Sequence, residues 1–85
     1  MGKVWKSKYD YVVYRDNSPK EFKRTCQLVE KSIPGYRKNE LVVDVDGSTL
    51  QVYEINGKKI VVYDDYDIGT VYIRSDIQLA FIQVP

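Results

Sequence analysis

The densest group of side chains that could do chemistry in this chain is Tyr63-Asp64-Asp65-Tyr66-Asp67, three carboxylates between and beside two tyrosines. Clustered carboxylates can hold a hard cation or share acid–base work. The chain has no histidine and one cysteine, which removes His-based zinc sites, Ser-His and Cys-His nucleophile pairs and the commonest general base. No further spaced carboxylate completes a ligand set, so no metal and no cofactor are expected, and the chain is expected not to be an enzyme. What an acidic, aromatic turn can still do is receive a basic protein surface, which makes Asp64, Asp65, Tyr66 and Asp67 candidate contact residues. Cys26 falls on the apolar stripe of a helix and reads as a small buried hydrophobe, not a reactive thiol.

A second acidic segment, Val42-Val43-Asp44-Val45-Asp46-Gly47-Ser48-Thr49-Leu50, resembles the first motif of haloacid-dehalogenase-type phosphotransferases. The resemblance implies a nucleophile at Asp44 and a general acid/base at Asp46. It covers about a tenth of the chain. Such a loop needs a parallel sheet behind it, whereas this segment runs into a hairpin in a chain too short for crossover helices. Tried as a calcium loop with Gly47 sixth, the segment puts Val42 and Tyr53 where carboxylate ligands are required. Near the start, Lys6, Lys8, Tyr9, Tyr11 and Arg15, with Tyr14, interleave basic and aromatic residues as a stacking platform for single-stranded nucleic acid would. Gly69-Thr70-Val71-Tyr72-Ile73-Arg74-Ser75-Asp76, after a helix and a short-turned meander, resembles the end of Sm-like RNA-binding domains. That resemblance implies RNA binding and ring assembly; Ser75 stands where the family has Gly, and the family's earlier Asp-Asn motif is missing.

The elements that must hold these residues can be read from spacing. Lys8 to Arg15 is aromatic and β-branched and forms a strand. Ser18 caps a helix, Pro19 suits its first turn and Glu21 completes a capping box. Phe22, Cys26, Val29 and Ile33 then recur at helical spacing until Pro34-Gly35 ends the run, placing the helix at Ser18 to Ser32. Asp46-Gly47 and Asn56-Gly57 are hairpin signals. With two-residue loops Val45 faces Ser48 and Val43 faces Leu50, while Ile55 faces Lys58, Glu54 faces Lys59 and Tyr53 faces Ile60. Further strands are expected at Thr70 to Arg74 and Leu79 to Val84. The fold class is therefore α+β: one α-helix on a mostly antiparallel sheet of five to six strands, with a partly open small barrel as the curled alternative.

At 85 residues the chain is one domain, residues 1–85, and 44% hydrophobic with 29% charged residues is an ordinary globular composition. The lone cysteine favours a reducing compartment, and no apolar run spans a bilayer, so a cytoplasmic location without a membrane partner is expected. A formal charge of +1 conceals ten Lys or Arg against five Asp or Glu in residues 1–40, and three against seven in residues 41–85. That balance does not suit a dedicated nucleic-acid binder.

Both faces of the expected meander are apolar. One carries Leu41, Val43, Val45, Leu50, Val52, Val61 and Tyr63 and is expected to take the helix. The other carries Val42, Tyr53, Ile55, Ile60 and Val62, which are expected to be buried against another protein or a second copy of the chain, with Tyr53 as anchor; strands folding over that face are the alternative. The function expected is a non-enzymatic protein-binding module of the kind found among small inhibitors, immunity or antitoxin factors and phage-encoded host-interaction proteins. The alternative is an RNA- or nucleotide-binding domain working through Lys6, Lys8, Tyr9, Tyr11 and Arg15.

Overall fold

The structure is a computed structural model and describes residues 6–82. One helix, α1 (Pro19–Ser32), packs on an antiparallel sheet of six strands: β1 (Tyr9–Tyr14), β2 (Arg37–Lys38), β3 (Val42–Val43), β4 (Thr49–Ile55), β5 (Lys58–Asp65) and β6 (Thr70–Ser75). The order across the sheet is β1-β6-β5-β4-β2, with β3 also pairing β4. The sheet is open and does not close into a barrel, because the segment expected as a closing strand is not one. Leu79 and Ile82 lie in an irregular turn, buried against the core, while residues 83 and 84 of that expected strand lie outside the described residues.

Helix α1 begins where a cap and a proline coincide. Ser18 Oγ accepts a hydrogen bond from Glu21 N at 3.1 Å. The reciprocal half of the capping box is not made by Glu21: Ser18 N donates to Asp64 Oδ1 at 3.2 Å, so a carboxylate from β5 closes the cap instead. At the other end Ile33 N donates to Val29 O, and Gly35 takes φ 77°.

The β4–β5 hairpin has the expected register, Tyr53 opposite Ile60 and Glu54 opposite Lys59, since Asn56 and Gly57 both adopt positive φ in a two-residue turn. The β3–β4 hairpin differs by one residue: Val42 faces Leu50 and Val43 faces Thr49. Here Asp44 N donates to Ser48 O, Gly47 N donates to Asp44 O, and Gly47 alone takes positive φ, which makes a three-residue loop. The slip moves Val42 to the other side of the sheet, away from Tyr53.

The helix covers the face that was expected to be buried against another chain. Tyr53, Ile60 and Val62 are fully buried, Ile55 nearly so, in one cluster with Cys26, Val29 and Ile73. Strand β6 decides the matter. Its Val71, Ile73 and Ser75 extend this side across the sheet, whereas its alternate residues Tyr72 and Arg74, with Lys59 and Asp65 on β5 and Glu54 on β4, interrupt the other side with polar groups. Tyr53, Ile55, Ile60 and Val62 are thus core residues of the monomer and not a partner surface.

Candidate functional site

Three connections converge at one end of the sheet: residues 15–18 between β1 and α1, 44–48 between β3 and β4, and 66–69 between β5 and β6. Each is held by side chains that accept backbone N–H groups, which is what Asp and Ser do in turns. Asp44 Oδ1 accepts from Val45 N at 2.8 Å and Asp46 Oδ1 from Ser48 N at 2.9 Å. The bonds from Ser48 hold the Asp46 carboxyl below the usual carboxylate range. In the β5–β6 turn Asp65 Oδ1 accepts from Asp67 N at 2.9 Å and Ile68 N at 3.3 Å, and Tyr72 Oη donates to Asp65 Oδ2 at 3.2 Å. Burial, aided by the adjacent Asp65 charge, pushes the Tyr72 phenol well above its ordinary range.

The turns are also fastened to one another. Tyr66 N donates to Ser48 Oγ at 2.8 Å, and a Cβ on Gly47 would sit 3.7 Å from the Tyr66 ring, so the aromatic face lies along the β3–β4 turn. Asn17 Nδ2 donates to Asp65 O at 2.6 Å, tying the first connection to the last.

This geometry sorts the acidic run. Asp64 is 1% exposed and closes the helix cap, and Asp65 is engaged in its own turn; neither presents a carboxylate outward for a ligand. Among the described residues no three His, Cys, Asp or Glu side chains are grouped to hold a metal ion. Tyr66 and Asp67 are exposed, as is Ile68 at 62%. Beside them Val43 and Val45 point into solvent, Val45 without any cover. Five aspartates, Asp16, Asp44, Asp46, Asp65 and Asp67, lie in or at the edges of these three connections against the single cation Arg15. This end of the sheet therefore carries several exposed apolar side chains on connections rich in aspartate.

Val42, half exposed, lies on the helix-free face opposite Leu50 and is near but not part of this end. Val45 and Ile68 are exposed apolar side chains that the sequence reading did not single out. Val45 was placed in the core by the two-residue register, and Ile68, a large aliphatic side chain inside a four-residue turn, carried a signal because nothing within a turn can cover it.

The basic and aromatic residues near the start do not form one surface. Lys6, Lys8 and Arg15 are exposed, and Lys8 Nζ lies 5.9 Å from the Tyr9 ring centre. Tyr11 packs against the core, and its hydroxyl accepts from Leu79 N at 2.9 Å. The stacked aromatic pair is instead Tyr63 with Tyr72, centroids 4.6 Å apart on the helix-free face.

One buried polar group joins helix and sheet. Tyr53 Oη donates to Glu30 Oε2 at 2.5 Å, and Lys38 Nζ lies 2.9 Å from the same oxygen. Those bonds lower the Glu30 carboxyl, while burial raises the Tyr53 phenol and the Cys26 thiol, leaving no activated nucleophile there. Comparison of the chain with family models, curated proteins and solved structures found no match, and the functional reading rests on this geometry.

Proposed function

We propose that the protein is a non-enzymatic protein-binding module whose contact surface is the acidic, apolar end of the sheet, and that its partner offers a basic surface with apolar side chains. The observation that carries this reading is the exposure of Val43 at the end of β3 and of Val45, Tyr66 and Ile68 on turns fastened by the Tyr66–Ser48 bond, with Asp44, Asp46 and Asp67 in the same turns. Large apolar side chains held outward on a pre-ordered frame lose little freedom on binding, which is where affinity in protein interfaces concentrates. The carboxylates steer a basic partner and repel nucleic acid. A small inhibitor, immunity or antitoxin factor, or phage-encoded host-interaction protein would work this way, by occupying a basic site on its target.

A photo-crosslinking residue placed at Val45, with another at exposed Gln78 as reference, tests the reading in cells that make the protein. A discrete protein adduct from position 45, absent from position 78 and lost when Ile68→Asp is added, is expected. RNA adducts at position 45, or equal yields from both positions, would refute it.

A further inference from the structure

We infer that the end of the sheet opposite the acidic connections is a binding site for the phosphate backbone of a single nucleic-acid strand, held by charge and without reading of sequence. The inference is independent of the proposed protein-binding surface.

Strand register brings the cations of this end together. Lys8 N donates to Ser75 O, Asp76 N donates to Lys59 O, Glu54 faces Lys59 and Arg37 faces Glu54, so Lys8, Asp76, Lys59, Glu54 and Arg37 lie level across the sheet. With neighbouring strands ~4.8 Å apart, Lys8 and Arg37 are separated by roughly 19 Å along the order β1-β6-β5-β4-β2. Lys58 stands one residue further out at the start of β5, and Lys31, in the last turn of α1, adjoins the Glu30 that meets Lys38. The side chains of Lys8, Lys31, Arg37, Lys38, Lys58 and Lys59 are exposed.

The carboxylates at this end already have partners. Glu30 accepts from Tyr53 and meets Lys38, Glu54 accepts from Asn39 Nδ2 at 2.8 Å, and Asp76 accepts from Lys59 N at 2.9 Å. Among the described residues Lys8, Lys31, Arg37 and Lys58, by contrast, form no ion pair. The formal charge of +1 on the whole chain conceals this excess, because Asp16, Asp44, Asp46, Asp65 and Asp67 stand at the far end of the strands. The seven-residue β4 puts roughly 20 Å between the two ends, well beyond a Debye length of about 8 Å at physiological salt.

The absence of apolar side chains selects the class of ligand. The exposed large hydrophobic residues of the described chain, Val45 and Ile68 among them, all lie elsewhere. Protein interfaces draw their affinity from such side chains, whereas a phosphate backbone asks only for cations. A second copy docking its acidic end here would leave Val45 and Ile68 without an apolar partner. Tyr9, half-exposed with its ring centre 5.9 Å from Lys8 Nζ, adds an aromatic ring beside the row, on which an unpaired base can stack.

Fluorescence anisotropy of a labelled oligothymidylate of about twenty nucleotides, titrated with the full chain, provides the test. Binding at about 50 mM salt is expected, with a slope of about −2 for log K against log salt, as about three neutralised phosphates on a single strand would give. Arg37→Gln with Lys58→Gln should weaken binding about tenfold and flatten that slope. Lys20→Gln with Lys23→Gln, an equal loss of charge at exposed positions near the start of α1, should leave it within about twofold. All four positions are exposed, and an unchanged thermal transition verifies the fold of both variants. A wild-type chain that leaves the oligonucleotide free at that salt overturns the proposal. So does equal weakening by the two pairs, which would reduce the effect to net charge. Polyglutamate competing as well as unlabelled oligonucleotide would make the ligand an acidic protein, and equal capture by anionic lipid vesicles would make it a membrane; either result overturns the assignment.

Discussion

Asp64 and Asp67 are three residues apart in one acidic run, yet their surroundings give them different work. Asp64 is buried and accepts the Ser18 N–H, so Asp64→Ala strands a donor at the start of α1 and should cost about 1–3 kcal/mol in urea unfolding. Asp67→Ala, at an exposed position, should change stability by no more than about 0.5 kcal/mol. The Glu30 carboxyl is held low first by the Tyr53 hydroxyl and then by Lys38, so its contribution is present above the ordinary Glu value of 4.5 and is lost as pH falls through the lower folded value. The stability gap between wild type and Tyr53→Phe should therefore be full near neutral pH and narrow below about pH 4; a gap constant with pH would exclude the link. The run of carboxylates was legible in the sequence, but its division into buried and exposed members was not. That division depends on Ser18 and Asn17, which meet Asp64 and Asp65 only through the fold.

The elements followed local rules where those rules leave one answer. Ser18-Pro19 admits one helix start, and Asn56-Gly57 suits a two-residue loop, so both were readable along with the β4–β5 register. Asp46-Gly47 suits either a two-residue or a three-residue loop. The longer one forms here because Asp44 and Asp46 each bond a neighbouring N–H in it. Gly57 holds φ 79°, and a methyl group added there would meet nothing within 4 Å, so Gly57→Ala isolates the cost of left-handed backbone. A loss of about 1–2 kcal/mol by chemical denaturation is expected, with the hairpin register intact by amide NMR. The segment after β6 misled because Leu79 and Ile82 are as apolar as strand residues. They serve as a plug on the core instead, fixed by the Tyr11 hydroxyl.

For the molecule as a whole, one helix on a mostly antiparallel sheet of five to six strands was legible from the sequence, whereas the openness of the sheet and the side that receives the helix were not. Counted over β3 to β5 alone, both faces are apolar, and the preference emerges only when β6 takes its place beside β5. Ile60→Asp should accordingly unfold the chain, as seen by loss of the cooperative thermal transition, because an unpaired charge would lie under α1. Val45→Asp should leave that transition within about 0.5 kcal/mol of wild type. The pairing of β1 with β6 has one more consequence, which concerns synthesis. Tyr9 to Tyr14 leaves the ribosome before its partner strand, which follows about 60 residues later. At about 5–20 residues per second the segment waits for several seconds with nothing to pair with. During that interval a tyrosine- and valine-rich strand is open to misassociation between nascent chains, and codon changes that slow translation between residues 15 and 70 should lower the soluble yield of an unaltered protein.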